Sequence, residues 1–304
     1  MNPRVLTVFV LTLFASMLSG CGREPESQGP QYGTKPPVSG APVYHFAIHP
    51  LHNPAKLAQA YQPLIDYLNS CIQGVSFELE ASRDYANFEA KYAVRKTEFI
   101  LPNPWQTLQA IKQGYHVIVM SGDAQDFKGI ILVRKDSGIK LPADLKGKAV
   151  SYPSPTALAA CVMPQYFLFQ HGVDINKDIE NRYVGSQSSA IMNVYLRNTA
   201  AGATWPPPWR AFQKEHPQEA TELQVIWETE SLINLSVMAR DDVPADIRDQ
   251  VRSLLVGLHE TAEGHAILDG METSRFYPAT DKDYDVVKDY VARFERDVKP
   301  VDLK

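Results

Sequence analysis

From Val43 onward the chain alternates strand-like and helix-like segments, and two look-alike strands divide that alternation into parts. "VYHFAIHP" alternates as a strand. "NPAKLAQAYQPLIDYLNSC" then places Leu57, Tyr61, Leu64, Ile65 and Leu68 at helical spacing despite Pro63. "VSFELEAS" alternates again. A short helix opened by Asp84, a buried strand in "TEFILPNP", a helix closed by Gly114 and the strand "YHVIVM" follow. Such alternation implies α/β architecture with a largely parallel sheet.

The pattern restarts after "KGIILVRKDSGI", an apolar strand running into a charged turn. A second series passes through "GKAVSY", a helix over 155–171, "NRYVG", the helix "SSAIMNVYLRN", "AAGATW", a proline-rich corner and "LQVIWETE". "LINLSVMARDDVP" then repeats the earlier device, and helices fill the remainder. The two similar strands, near 129–134 and 232–240, read as paired crossovers between two α/β lobes. The first lobe is expected to comprise residues 43–134 with 235–304, and the second residues 135–234. Two lobes joined by two strands make a hinge with a cleft between them.

Residues 1–20 stand apart from this globule. Arg4 precedes the apolar run "VLTVFVLTLFASML", too short for a comfortable membrane span. "LSGC" ends it at Cys21 and resembles the bacterial lipoprotein signal, in which the chain is cut before a cysteine that becomes lipidated. Residues 21–42, rich in Pro, Gly and Ser, read as a flexible tether. These features imply an anchor in the lipid bilayer through Cys21. Gly22 behind it resembles the outer-membrane sorting pattern of Gram-negative bacteria, on the periplasmic side. The net charge of −5, without a basic stripe, argues against nucleic acid as a partner. The chain is read as a monomer that needs no cofactor.

Ligands of open α/β sheets bind beyond the carboxyl ends of the strands, and those ends are distinctive here. They carry His49, His52 and Asn53; Asp84 and Tyr85; Asn103 and Trp105; Ser154 and Thr156; Ser186, Gln187 and Ser188; and Thr204 and Trp205. Hydroxyls, amides and aromatics gather there with few charges, which suits a small polar ligand. The candidate ligand-binding set is therefore His49, Tyr85, Asn103, Trp105, Ser154, Thr156, Ser186, Gln187, Ser188, Thr204 and Trp205. Each is also ordinary turn chemistry. No P-loop, G-x-S-x-G or H-E-x-x-H motif points to catalysis. Cys161 follows a helix start, but its Ala, Val and Met neighbours suit a buried apolar thiol. No zinc-type cysteine spacing occurs. His45 and His49 would stand roughly 13 Å apart on a strand. His49 and His52 supply half a metal site at most, so a metal-binding lipoprotein is kept only as an alternative.

The ordered segments "HPLHNPAKLAQAYQPLIDYLNS", "LPADLKGKAVSYPSP", "YVGSQSSAIMNV" and "ARDDVPADIRDQVRSLLVGLHETAEGHAIL" resemble one family. It is that of the periplasmic phosphate/phosphite/phosphonate-type (PhnD-like) solute-binding proteins of ABC transport systems. The resemblance implies a bilobal periplasmic-binding-protein fold of type II that binds a small polar solute or oxyanion without catalysis. The implied partner is an ABC permease, or a membrane sensor if the protein reports on its ligand. The family seats its anion on "S-T-S-G", where this chain has Ala157, Leu158, Ala159 and Ala160. Ser186 replaces a frequent His, and Thr204, Trp205 and three prolines replace an aspartate-rich turn. The backbone N–H seat needs no side chain and is expected to survive. The expected ligand is neutral, monoanionic or partly apolar, and simple phosphate and alkylphosphonate binding is expected to be weak.

Overall fold

A computed structural model describes residues 40–302. The expected leader, Cys21 and the tether up to residue 39 lie outside the described residues. The elements, in chain order, are β1 (Val43–Ile48), α1 (Pro54–Cys71), β2 (Ser76–Glu80), α2 (Tyr85–Ala93), β3 (Phe99–Leu101), α3 (Pro104–Ile111) and β4 (Tyr115–Ser121). Then follow β5 (Lys128–Arg134), β6 (Lys148–Tyr152), a π turn (Leu158–Val162), α4 (Met163–Gln170), β7 (Ile179–Tyr183), α5 (Gln187–Tyr195), β8 (Ala201–Thr204), α6 (Pro206–Glu215), α7 (Pro217–Thr221) and β9 (Leu223–Ser231). The chain returns through β10 (Leu235–Arg240), α8 (Ala245–Gly257), α9 (Ala262–Gly270), β11 (Phe276–Pro278) and α10 (Asp285–Asp297). Among the described residues, no helix is long and apolar enough to cross a membrane.

The helices start where the sequence offers a cap. Asn53 accepts from the Lys56 N–H at 3.0 Å ahead of Pro54, and the stripe Leu57, Ala60, Tyr61, Leu64, Ile65 and Leu68 buries α1 against its sheet. That stripe carries the helix through Pro63. Asp84 caps α2 through the Asn87 N–H at 2.8 Å. Asn103 and Gln106 form a reciprocal capping box on α3.

Two sheets organise the chain. The first has the order β11-β4-β10-β3-β1-β2, with β1 parallel to β2 and β3, and β10 antiparallel to β3 and β4. The second has the order β7-β6-β8-β5-β9, with β6 parallel to β7 and β8, and β5 antiparallel to β8 and β9. Each lobe is thus a set of parallel βα units into which one crossing strand inserts antiparallel, and in the first lobe the edge strand β11 also runs antiparallel to β4.

This corrects the expected boundary after residue 134. Strand β5 pairs Ile130 with Thr204 and Val133 with Ala201, so it belongs to the second lobe. Its residues from Gly129 to Arg134 are buried, and such a strand needs neighbours on both edges. The chain therefore crosses earlier, between Ser121 and Lys128, and returns between Ser231 and Leu235. The crossings are tied together. Leu232 N–H donates to the Phe127 carbonyl and Asn234 Nδ2 to the Asp123 carbonyl, both at 2.8 Å. Gly122 sits at φ +79, where a Cβ would stand 2.8 Å from Thr273 Oγ1 and 2.9 Å from Asn234 Nδ2.

Further bonds join the lobes beside the crossings. Arg210 of α6 holds Asp126 at 2.9 Å and donates to the Glu272 carbonyl at 3.2 Å, while Lys56 of α1 meets Glu215 of α6 at 2.6 Å. One contiguous apolar core runs from Phe46, Ile100 and Val237 to Ile131, Val150 and Ala201.

Candidate functional site: a cavity at the facing strand ends

A small cavity lies where the strand ends of the two lobes meet. The first lobe contributes His49 beyond β1, Tyr85 at the start of α2 and Asn103 at the cap of α3. The second contributes Ala157 to Ala160, Gln187 at the start of α5, and Trp205, which precedes α6. Phe127 and Leu235 close it from the two crossings. The location is the one that open α/β sheets reserve for ligands.

The helix start in this wall is a π turn. Val162 N–H bonds to the Ala157 carbonyl at 3.3 Å, and Met163 N–H to the Leu158 carbonyl. An α turn capped at Ala157 would engage the Cys161 N–H on that carbonyl. Passing the bond to Val162 leaves the N–H groups of Leu158, Ala159, Ala160 and Cys161 all outside the helical ladder. Among the described residues, no Lys or Arg lines this cavity. Stabilisation of an anion there would have to come from backbone dipoles.

The side chains around the seat are held by a chain of hydrogen bonds. Thr204 Oγ1 donates to Gln187 Oε1 at 2.7 Å, and Gln187 Nε2 donates to the Tyr85 hydroxyl at 3.3 Å. Asn103 Nδ2 donates to the Thr156 carbonyl at 3.0 Å. Behind the seat, the Thr156 hydroxyl donates to Glu89 Oε1 at 2.7 Å, and Gln106 Nε2 donates to the same oxygen at 3.0 Å. Burial pushes the Glu89 carboxyl above its ordinary range, and these two donors pull it back only in part. His49 is 2% exposed; burial pulls its imidazole down to about 4, against the opposing effect of its bond to the Leu101 carbonyl. Burial raises Tyr85 and pushes the Cys161 thiol up to about 12, so Cys161 is an inert apolar residue. Cys71 is exposed on α1, and the two thiols are not paired.

Of the candidate set, His49, Tyr85, Asn103, Gln187 and Trp205 line the cavity, while Thr204 orients Gln187 from behind. The structure does not bring the others to it. The Ser154 and Thr156 hydroxyls are 3.2 Å apart in a buried bridge to Glu89. Ser186 caps α5 through the Ser189 N–H at 3.1 Å. Ser188 is half-buried on α5 outside the lining, and Trp105 is packed into the first lobe's core. Asp84 is a helix cap, so its charge stays out of the cavity. Phe127 and Leu235 went unrecognised in the sequence because their place depends on where the chain crosses.

The three histidines do not converge. His45 Nδ1 faces Glu98 Oε2 at 3.2 Å, His49 Nδ1 faces the Leu101 carbonyl at 2.9 Å, and His52 lines a different cavity. Among the described residues, no group of three or more His, Cys, Asp or Glu could hold a metal ion. The second cavity adjoins the crossings and shares Trp205 and Leu235 with the first. Trp205 packs edge-on against Phe127, with ring centroids 5.5 Å apart.

Two α/β lobes, two crossings and a cavity at the facing strand ends define a bilobal solute-binding protein of type II. A family model described as the periplasmic substrate-binding protein of a phosphonate ABC transporter matches residues 46–284, and the chain belongs to that family. The probable ABC transporter phosphite binding protein PhnD1 of Prochlorococcus marinus (strain MIT 9301) is 26% identical over an alignment of 182 residues that covers 55% of this chain and 61% of that relative's length. PhnD1 from Prochlorococcus marinus in complex with methylphosphonate superposes with a TM-score of 0.77 at 20% identity, covering 84% of this chain and 98% of that one. A binding component of an ABC phosphonate transporter from Pseudomonas aeruginosa also scores 0.77, at 16% identity over 84% of this chain and 87% of that one. The alkanesulfonate-binding protein SsuA from Xanthomonas axonopodis pv. citri, bound to MOPS, scores 0.59 at 14% identity over 86% and 96%. The fold is therefore shared by proteins solved with different oxyanions.

Proposed function

We propose that this chain is the lipid-anchored, ligand-receiving component of an ABC-type uptake system, and that it binds a small phosphonate-like oxyanion of low charge between its lobes. The observation that carries this reading is the π turn Leu158–Val162, a helix start with N–H groups outside the ladder, whose residues Leu158, Ala159 and Ala160 line a cavity without cationic side chains. Backbone dipoles at a helix start stabilise a single negative charge by roughly 0.3–2 kcal/mol. A second charge would meet no Lys or Arg, and the buried Glu89 carboxyl lies one residue layer behind. The site therefore favours monoanions and ligands with an apolar substituent against Phe127, Leu235 and Trp205. The family's periplasmic description supports an extracytoplasmic place for the chain.

Titration with methylphosphonate, phosphite and phosphate tests this reading. Calorimetry should give one site per chain, and tryptophan fluorescence should change saturably because Trp205 lies in the wall. Trp205→Ala should weaken binding by about 1 kcal/mol or more, the scale of an aromatic contact. At a hundredfold excess over Kd, the ligand should stabilise the fold by about 2.7 kcal/mol. A protein that takes up none of these oxyanions is not the receptor described here. The anchor has its own test. Cys21→Ala should abolish incorporation of radiolabelled lipid and leave an uncut precursor or a soluble product; normal labelling of that variant removes Cys21 as the attachment point.

A further inference from the structure

His49 is a polar side chain of the seat whose hydrogen-bonding role is fixed by the main chain. Its Nδ1 lies 2.9 Å from the Leu101 carbonyl, which can only accept, so the ring proton sits on Nδ1. The ring packs edge-on against Tyr85 and Phe88, with centroids 6.1 and 6.2 Å away. Nε2 is then a lone-pair acceptor, and among the described residues no group donates to it. The ring lines the same cavity as the free N–H groups of the π turn. The π turn thus brings backbone donors to the cavity and His49 brings a fixed acceptor.

We infer that the cavity selects a protonated oxyanion, one that presents an anionic oxygen to the π turn and an acidic O–H to His49 Nε2. This deepens the reading proposed above and rests on it. The ligand class is the monoanion of a phosphonic or phosphorous acid type. A fully ionised dianion and a permanently ionised sulfonate both bring a lone pair against the Nε2 lone pair, leaving a buried acceptor unpaired.

The titratable and charged groups around His49 are few. His52 lies on the same loop, with Lys56 of α1 beyond it and paired to Glu215. Tyr85 and Glu89 come from α2, and Cys161 from the π turn. Tyr85 and Cys161 stay neutral through the working range, as does His52, held low by burial. Glu89 is the remaining group that could titrate.

The test compares methylphosphonate with methanesulfonate, a monoanion of similar size that has no proton to give, at about pH 6 and about pH 8.5, where a neutral histidine of this kind does not change state. Methylphosphonate should bind more tightly at the lower pH, losing about tenfold per pH unit once its second ionisation is passed. Methanesulfonate should bind about tenfold or more weakly than methylphosphonate at the lower pH, with no pH dependence. His49→Gln, whose amide can turn either a donor or an acceptor to the ligand, should narrow both differences. Glu89→Gln keeps an acceptor oxygen for Thr156 and Gln106 and should leave the pH dependence in place. Equal methylphosphonate affinity at both pH values, equal affinity for methanesulfonate, or a pH dependence abolished by Glu89→Gln overturns the inference while leaving the receptor reading intact. Absence of methylphosphonate binding at either pH removes the receptor reading and this inference together. If His49→Gln fails to fold, the two-ligand comparison on the unmodified protein still decides.

Discussion

A Gly129→Val protein should be destabilised by about 1–3 kcal/mol or more and should bind methylphosphonate at least about tenfold more weakly. Gly129 lies on β5 directly beneath the seat. A Cβ there would stand 2.6 Å from the Ala159 carbonyl oxygen and 2.8 Å from two ring carbons of Pro164. Neither neighbour is the yielding tip of a long side chain: one is backbone and the other a rigid ring. Relief requires the π turn to lift away from the sheet, and that turn carries the free N–H groups. Stability and affinity should therefore fall together. Gly257 near the end of α8 serves as the control, because a Cβ there meets nothing within 4 Å. Gly257→Ala should be neutral or stabilising by up to about 1 kcal/mol. Chemical denaturation and calorimetry on the three proteins decide the matter. Unchanged stability and affinity in Gly129→Val would mean that β5 and the π turn are not packed as described.

The strands and helices were legible because their periods differ. Leu57, Tyr61, Leu64, Ile65 and Leu68 can share a face only on a helix, whereas "VYHFAI" forms β1 with its last three residues, Phe46 to Ile48, buried in succession. Allocation of strands to lobes was less legible. Residues 129–134 form a run buried on both faces, and such a run reads the same in either sheet. What decides its place is the close approach at Gly129, and at Gly202 of β8, where a Cβ would stand 2.6 Å from the Ala190 carbonyl. Glycine inside a strand marks a place where another backbone comes near. The sequence shows those glycines without saying what approaches them.

The site was legible to the extent that strand ends are. His49, Tyr85, Asn103, Gln187 and Trp205 all follow a strand and all reach the cavity. Ser154, Thr156 and Ser186 follow strands equally well, yet their hydroxyls serve a cap and a buried bridge. Ser, Thr and Asn do both jobs with the same atoms, so residue type alone cannot separate them. The bridge needs Glu89 and Gln106 from the other lobe, which no local pattern reveals. The π turn is hidden for a different reason. It is a one-residue shift in backbone pairing, and Ala-Leu-Ala-Ala-Cys would suit an α turn just as well.

That turn sets up the second large effect. A protein carrying Ala157→Ser, Leu158→Thr and Ala159→Ser should bind methylphosphonate roughly tenfold or more tightly at about pH 8.5, because each new hydroxyl that reaches the ligand adds about 0.5–1.5 kcal/mol. All three positions line the cavity, so the added hydroxyls have a ligand within reach. The gain should be largest for the dianion. Hydroxyl donors share the second charge that backbone N–H groups alone leave exposed, so the preference for the lower pH should shrink as affinity rises. Leu158 makes the exchange costly. It is fully buried, and replacing it with Thr should lower stability by about 1–3 kcal/mol through lost burial. The Ala157→Ser and Ala159→Ser pair, which leaves Leu158 in the core, should retain part of the gain at nearly unmodified stability. Calorimetry at both pH values, with thermal unfolding of all three proteins, separates the two effects. If the triple variant folds and binds the dianion no better than the unmodified chain, the free N–H groups at Leu158 to Cys161 are not where the ligand's charge resides.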